Sequence, residues 1–77
     1  MRRNELVDAI RQARIPADAY SLDGGHPSEA FVLSHEGSSW SVYYSERGLE
    51  TSKRSFATEE QACDELWRLL SKYAARP

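Results

Sequence analysis

The chain has 77 residues, twelve acidic and ten basic, for a net charge of −2 at neutral pH. That length holds one domain, residues 1–77, and a core too small to enclose a deep substrate cleft. The mildly acidic balance disfavours non-specific nucleic-acid binding, which depends on a positive excess to displace counterions from phosphates.

A lone cysteine, Cys63, forbids an internal disulfide and suits a reducing compartment. No apolar run approaches the ~20 residues of a membrane-spanning helix. Met1-Arg2-Arg3 is basic, but Asn4, Glu5 and Asp8 interrupt what would have to be the apolar part of a signal peptide. A cytoplasmic protein is expected.

Asn4 to Arg14 reads as a first helix. Leu6, Val7 and Ile10 recur at helical spacing, Asn4 is the expected N-cap, and Glu5 sits favourably near the positive end of the dipole. Pro16 stops it by pushing Ile15 out of helical space. Ala17 to Leu22 reads as a short extended piece, with a short fourth strand expected at Ala19–Leu22. Asp23-Gly24-Gly25-His26-Pro27-Ser28 is a loop by its turn residues. Its glycines do not make a phosphate cradle, because that motif needs a lysine and a following helix.

Glu29 to His35 reads as a strand with Phe31 and Leu33 on one face and Ala30, Val32 and Ser34 on the other. Glu36 to Ser39 turns the chain into Trp40-Ser-Val-Tyr-Tyr-Ser45, where Trp40, Val42 and Tyr44 alternate with Ser41, Tyr43 and Ser45. Glu46-Arg47-Gly48 is a second hairpin turn, since glycine tolerates the positive φ such turns require. Leu49 to Phe56 is a polar strand whose Glu50, Lys53 and Arg54 suit a sheet edge. Thr58 with Gln61 three residues on is a capping box for a second helix, and Glu59 and Glu60 complement its dipole. Ala62, Cys63, Leu66, Trp67, Leu69, Leu70 and Tyr73 form its apolar stripe. Arg68, Lys72 and Arg76 gather toward its C-terminal end, and the last residues to Pro77 are expected to fray.

The expected fold is α+β, in the order α-β-β-β-α: a three-stranded antiparallel sheet, four-stranded if the short piece joins, with both helices on one face. The other face is expected to be open to solvent, because too little apolar material remains to cover it.

The inventory for catalysis is thin. His26 and His35 lie in or beside turns, and Cys63 falls on a helix stripe where a small core residue is expected. No close ligand pair of the kind structural zinc needs is present. The acidic pairs Glu59/Glu60 and Asp64/Glu65 are explained by capping and solvation. Neither an enzyme nor a cofactor is expected. What remains is a protein-binding surface on the open face. Tyr43, opposite in phase to Trp40, Val42 and Tyr44, stands there with Glu46 and Arg47 at the adjoining turn, and Lys53 and Arg54 serve as rim charges.

The order of elements is similar to the double-stranded-RNA-binding domain, which implies RNA binding through a lysine-rich start to the second helix. This chain carries Thr58-Glu59-Glu60 at that place, so the charge is of the wrong sign. The runs Trp40-Ser-Val-Tyr-Tyr-Ser-Glu-Arg-Gly48 and Phe56-Ala-Thr-Glu-Glu-Gln-Ala-Cys63, with Tyr20-Ser-Leu, resemble small bacterial immunity or antitoxin proteins encoded beside polymorphic secreted toxins. That resemblance implies a cytoplasmic inhibitor that occludes a toxin's active site, and a basic partner would suit the acidic balance. Self-association through the open face is the remaining expectation.

Overall fold

The structure, a computed structural model, describes residues 1–74, so the expectations for Arg76 and Pro77 lie outside it. Helix α1 runs from Arg3 to Gln12. A single 3₁₀ turn, Ala17–Ala19, leads into the short strand β1, Tyr20–Ser21. Strands β2, Ala30–Glu36, β3, Ser39–Glu46, and β4, Leu49–Phe56, follow, and helix α2, Glu59–Ala74, closes the described chain. The fold is α+β as expected, with a four-stranded sheet in the order β1-β2-β3-β4.

The termini of α1 show how local chemistry sets the boundaries. The helix begins two residues earlier than a cap at Asn4 would allow, with Arg2 as N-cap. The reason is Glu5, whose carboxylate accepts a hydrogen bond from the Arg2 backbone N–H at 2.7 Å. At the other end the Ile15 N–H reaches the Ile10 carbonyl at 3.2 Å and the Arg14 N–H reaches the Arg11 carbonyl at 3.1 Å. This paired closure, with Arg14 at φ 57°, is a Schellman motif that folds Ile15 back onto Ile10. Both isoleucines are buried. In α2 the Gln61 N–H donates to Thr58 Oγ1 at 3.2 Å, which is one arm of the expected capping box.

Helix α2 lies across β2, β3 and β4, and α1 lies against α2. Leu6 and Ile10 of α1 join Ala62, Cys63, Leu66 and Leu70 of α2, with Leu33 and Val42 from the sheet, in one core. Each leucine buried in this way contributes about 1.5–3 kcal/mol, so the small core leaves few of its large side chains to spare. The two helices start at the same end of the molecule, where Arg3 faces Glu59 and Arg2 faces Glu60, each at 4.0 Å. Farther along α2, Glu65 is gripped by Arg68 at 2.7 Å and by Arg54 from β4 at 3.4 Å, tying the helix to the edge strand.

Two features of the sheet depart from the expectation. First, it is mixed rather than antiparallel, because β1 pairs with β2 in parallel, Tyr20 beside Phe31 and Ser21 beside Val32. Second, β4 carries a bulge: Val42 pairs with Arg54 and Tyr44 with Thr51, so Ser52 and Lys53 together oppose Tyr43. Ser52 takes φ 56° to make room for the extra residue. The β3–β4 hairpin closes through Arg47 and Gly48, both at positive φ, as a two-residue loop requires. Strand β4 is exposed along its length apart from Phe56, which confirms it as a sheet edge.

Arg14 occupies the left-handed position that usually belongs to glycine. Arg14→Gly is expected to raise stability by about 0.5–1 kcal/mol, the relief of left-handed strain less the greater chain entropy of glycine. Urea denaturation of the two proteins measures this, and an unchanged or lower midpoint would show the strain to be absent.

Candidate functional site

The sheet face away from the helices is not open. Parallel pairing of β1 and β2 obliges the chain to return from the end of β1 to the start of β2, and the helices already occupy one side. The loop of residues 22–29 therefore passes over the other. It hugs β2 through the Gly24 N–H, which donates to the Leu33 carbonyl at 3.0 Å. It then crosses β3, where the Tyr43 hydroxyl donates to the Gly25 carbonyl at 2.7 Å, and reaches β4, where His26 Nε2 lies 3.0 Å from Glu50 Oε2. Gly24 is required at its place: at φ 73° it is in left-handed space, and a Cβ there would stand 3.1 Å from Ser34 Oγ.

Under this roof Tyr43 is only 2% exposed, and Val32, Ser41 and Ser45 are fully buried. The expectation of Tyr43 as an exposed anchor is corrected accordingly: its ring is enclosed and its hydroxyl is spent on the loop. Burial pushes its phenol pKa up, reinforced by Glu50 and Glu36. The bulge at Ser52 turns Lys53 onto the same face, with its ammonium 5.6 Å from the Tyr43 ring centroid. Lys53 Nζ donates to Glu36 at 3.1 Å and to Glu50 at 3.2 Å, while Ser41 Oγ donates to the other Glu36 oxygen at 2.9 Å. The hydrogen bond from Lys53, then that from Ser41, holds the Glu36 carboxyl below its usual value.

The five side chains expected to share a binding surface are thus dispersed. Tyr43 and Lys53 belong to the roofed face, and Arg54 belongs to the helix side through Glu65. Glu46 and Arg47 stand exposed at the β3–β4 turn. For catalysis or metal binding little converges. His35 stacks on Trp40 with ring centroids 4.0 Å apart, His26 is engaged by Glu50, and burial raises the pKa of the Cys63 thiol. Among the described residues no group of three or more His, Cys, Asp or Glu side chains could hold a metal ion. No helix among them is long and apolar enough to cross a membrane.

A concavity lies on the helix side, where the last turns of α2 leave the ends of the strands incompletely covered. It is a groove of about 680 Å³ whose apolar walls are Phe31 of β2, Tyr44 of β3, and Leu69 and Tyr73 of α2. Phe31 and Tyr44 are cross-strand partners and meet edge to face, ring centroids 5.0 Å apart. Tyr73 is 44% exposed, and Leu49, on the same strand face as the groove-lining Thr51, is 65% exposed. They are the two large apolar side chains left most exposed among the described residues.

Asp18 and Glu29 line one side of the groove and Lys72 lines another. Glu29 and Ser52, both at positive φ, also line it, so two of its residues hold backbone conformations that side chains disfavour. Partial burial raises the Tyr44 phenol pKa first, and Glu29, Glu46 and Tyr73 raise it further by their charge. Among the described residues Asp18, Glu29 and Glu46 take part in no ion pair, whereas Glu59 and Glu60 at the start of α2 and Glu36 and Glu50 in the roof are paired. Sequence reasoning assigned Tyr44 and Tyr73 to buried stripes, put Asp18 in the short extended piece, and read Glu29 as the first residue of a strand, with no role in a site. The signal available was the run of aromatics on the helix-facing phase of β2 and β3, larger than a helix end can cover.

Comparisons with protein-family models, with curated proteins and with solved structures find no match to this chain.

Tyr43→Phe removes the hydroxyl that pins the roof, and a loss of about 1 kcal/mol is expected, with faster hydrogen exchange confined to residues 22–29. Uniform acceleration across the sheet would instead place that hydroxyl in the global core. The pH dependence of the roof follows from Glu36. Its folded pKa lies below its unfolded one, so its stabilising contribution is complete above the usual carboxylate range and is lost as the pH falls through the folded value. Glu36→Gln is therefore expected to flatten the acid limb of the stability–pH curve, read by urea titrations across that range.

Proposed function

We propose that the chain is a non-catalytic protein-binding module of the immunity type, and that it engages its partner through the aromatic groove beside Tyr44 and Tyr73. The observation that supports this reading is the groove itself. It combines concavity and aromatic walls with the exposed Tyr73, and Leu49, the most exposed large apolar side chain among the described residues, lies on the same strand face as its lining residue Thr51. Aromatic residues in a partly desolvated depression are the usual anchors of an interface. The β3–β4 turn, with Glu46 and Arg47, lies at the adjoining end of the strands and supplies a polar rim.

Inhibition by such a module is steric. A partner segment seated in the groove brings the domain against the partner's own working surface, and no chemistry is asked of the chain. The single cysteine, fully buried, fits action in the reducing cytoplasm of the cell that makes the partner. The RNA-binding alternative has only topology behind it. Glu59 and Glu60 open α2 where phosphate would have to approach, and they face Arg3 and Arg2.

A photo-cross-linking residue placed at Tyr73, with another at Arg11 as control, identifies what occupies the groove in cells that produce the chain. A foreign protein captured from position 73 and not from position 11 is expected. Tyr73→Ala should weaken its affinity roughly tenfold or more while leaving the unfolding midpoint in place. Capture of a second copy of the chain alone, or parental affinity in the variant, would overturn the reading.

A further inference from the structure

The groove that serves as the docking site in the reading above has a chemical bias, and it is this bias that names the occupant. Its floor presents the rings of Phe31 and Tyr44, with Tyr73 on the α2 side, and its flank presents the carboxylates of Asp18 and Glu29. Glu46 stands close enough to act on the Tyr44 phenol, as does Glu29. Lys72 is the one cation among the described lining residues, and the carboxylates outnumber it.

Away from the groove most acidic side chains are matched, the exceptions among the described residues being Glu5 and Asp8 on α1, of which Glu5 caps the helix. Glu65 is clamped by Arg54 and Arg68, and Glu36 and Glu50 share Lys53. At the groove Asp18 and Glu29, with Glu46 on the neighbouring turn, have no cationic partner among the described residues, and here the carboxylates flank aromatic rings. Aromatic faces attract a cation through their quadrupole, and carboxylates beside them add a charge-assisted hydrogen bond. Phosphate, by contrast, meets acidic groups and ring faces that repel it.

We infer that the groove between α2 and the ends of β2–β4 is a receptor for an arginine side chain on a basic segment of the protein partner. The planar guanidinium satisfies both halves of the site at once. It can lie on the Tyr44 or Phe31 ring while its N–H fork meets the Glu29 or Asp18 carboxylate, a combination that the compact ammonium of lysine meets less well. The inference rests on the docking reading of the groove and adds the chemistry of the ligand.

The test uses the intact chain and two short blocked peptides, acetyl-Gly-Arg-Gly-amide and the same peptide with citrulline, which keeps the shape of arginine and lacks its charge. Titration is followed by the ring-proton NMR signals of Phe31, Tyr44 and Tyr73. Saturable shifts at these rings with the arginine peptide, and about tenfold weaker binding of the citrulline peptide, are expected. Glu29→Gln should weaken the arginine peptide several-fold, leave the citrulline peptide unchanged, and preserve the ring signals of the free protein. Equal binding of the two peptides would overturn the cationic specificity and leave the groove as a docking site. Failure of both to shift the rings would overturn the inference and the docking reading together.

Discussion

Two residues of parallel pairing, Tyr20 with Phe31 and Ser21 with Val32, impose the arrangement on which the rest of this domain depends. An antiparallel neighbour can be reached by a tight turn, but a parallel neighbour demands that the chain travel back along the sheet before starting again. With α1 and α2 on one side, the only free route is over the other. The loop of residues 22–29 takes that route and becomes a lid of backbone, too short to carry a helix and long enough to cross three strands. A backbone laid across a sheet must have its polar groups satisfied. Leu33 supplies an acceptor for Gly24, and the Tyr43 hydroxyl supplies a donor for Gly25.

This arrangement accounts for a polar interior beneath the lid in a protein with little hydrophobic material. Tyr43 contributes both bulk and a hydrogen bond, Ser41 is bound by Glu36, and Lys53 bridges Glu36 and Glu50 above the tyrosine ring. The bulge at Ser52 is part of the same device. Glu50 and Lys53 are three positions apart, so strict alternation from Glu50 would put Lys53 on the helix side, and the bulge is what lets both stand on the roofed face with Glu36. The strain at Ser52 is therefore offset by the ion pairs it makes possible, and the bulge also twists the exposed β4 edge, which discourages pairing with another chain.

The helix side shows the complementary consequence. Helix α2 is anchored at the β4 edge by Glu65 and over the sheet centre by Leu66 and Leu70, and its last turns cannot also cover the ends of β2, β3 and β4. Phe31 and Tyr44 are left as a partly covered aromatic pair, faced by Tyr73 and flanked by the carboxylates of Asp18 and Glu29, which make no ion pair among the described residues. A small domain cannot close both ends of one helix layer, and the uncovered end is where an unsatisfied surface of definite chemistry remains.

Taken alone, the sequence determined what depends on near neighbours. The α+β class, the two helices and their apolar stripes, the two hairpin turns with Gly37 and Gly48, the exposed β4 edge and the buried Cys63 follow from periodicity, capping and turn chemistry within a few residues. The start of α1 moved because a single carboxylate, Glu5, outcompeted Asn4 for the capping role. Tertiary structure decided which way β1 runs, and hence whether the second sheet face is open or roofed. Alternation places Tyr43 and Tyr44 on opposite faces, but it carries no information about what lies above either face. So the residue expected to be exposed, Tyr43, is enclosed by a loop eighteen positions away, and the one expected to be covered, Tyr44, borders a groove. Both outcomes hang on strand direction and on the reach of α2, which are non-local quantities that no run of neighbouring residues encodes.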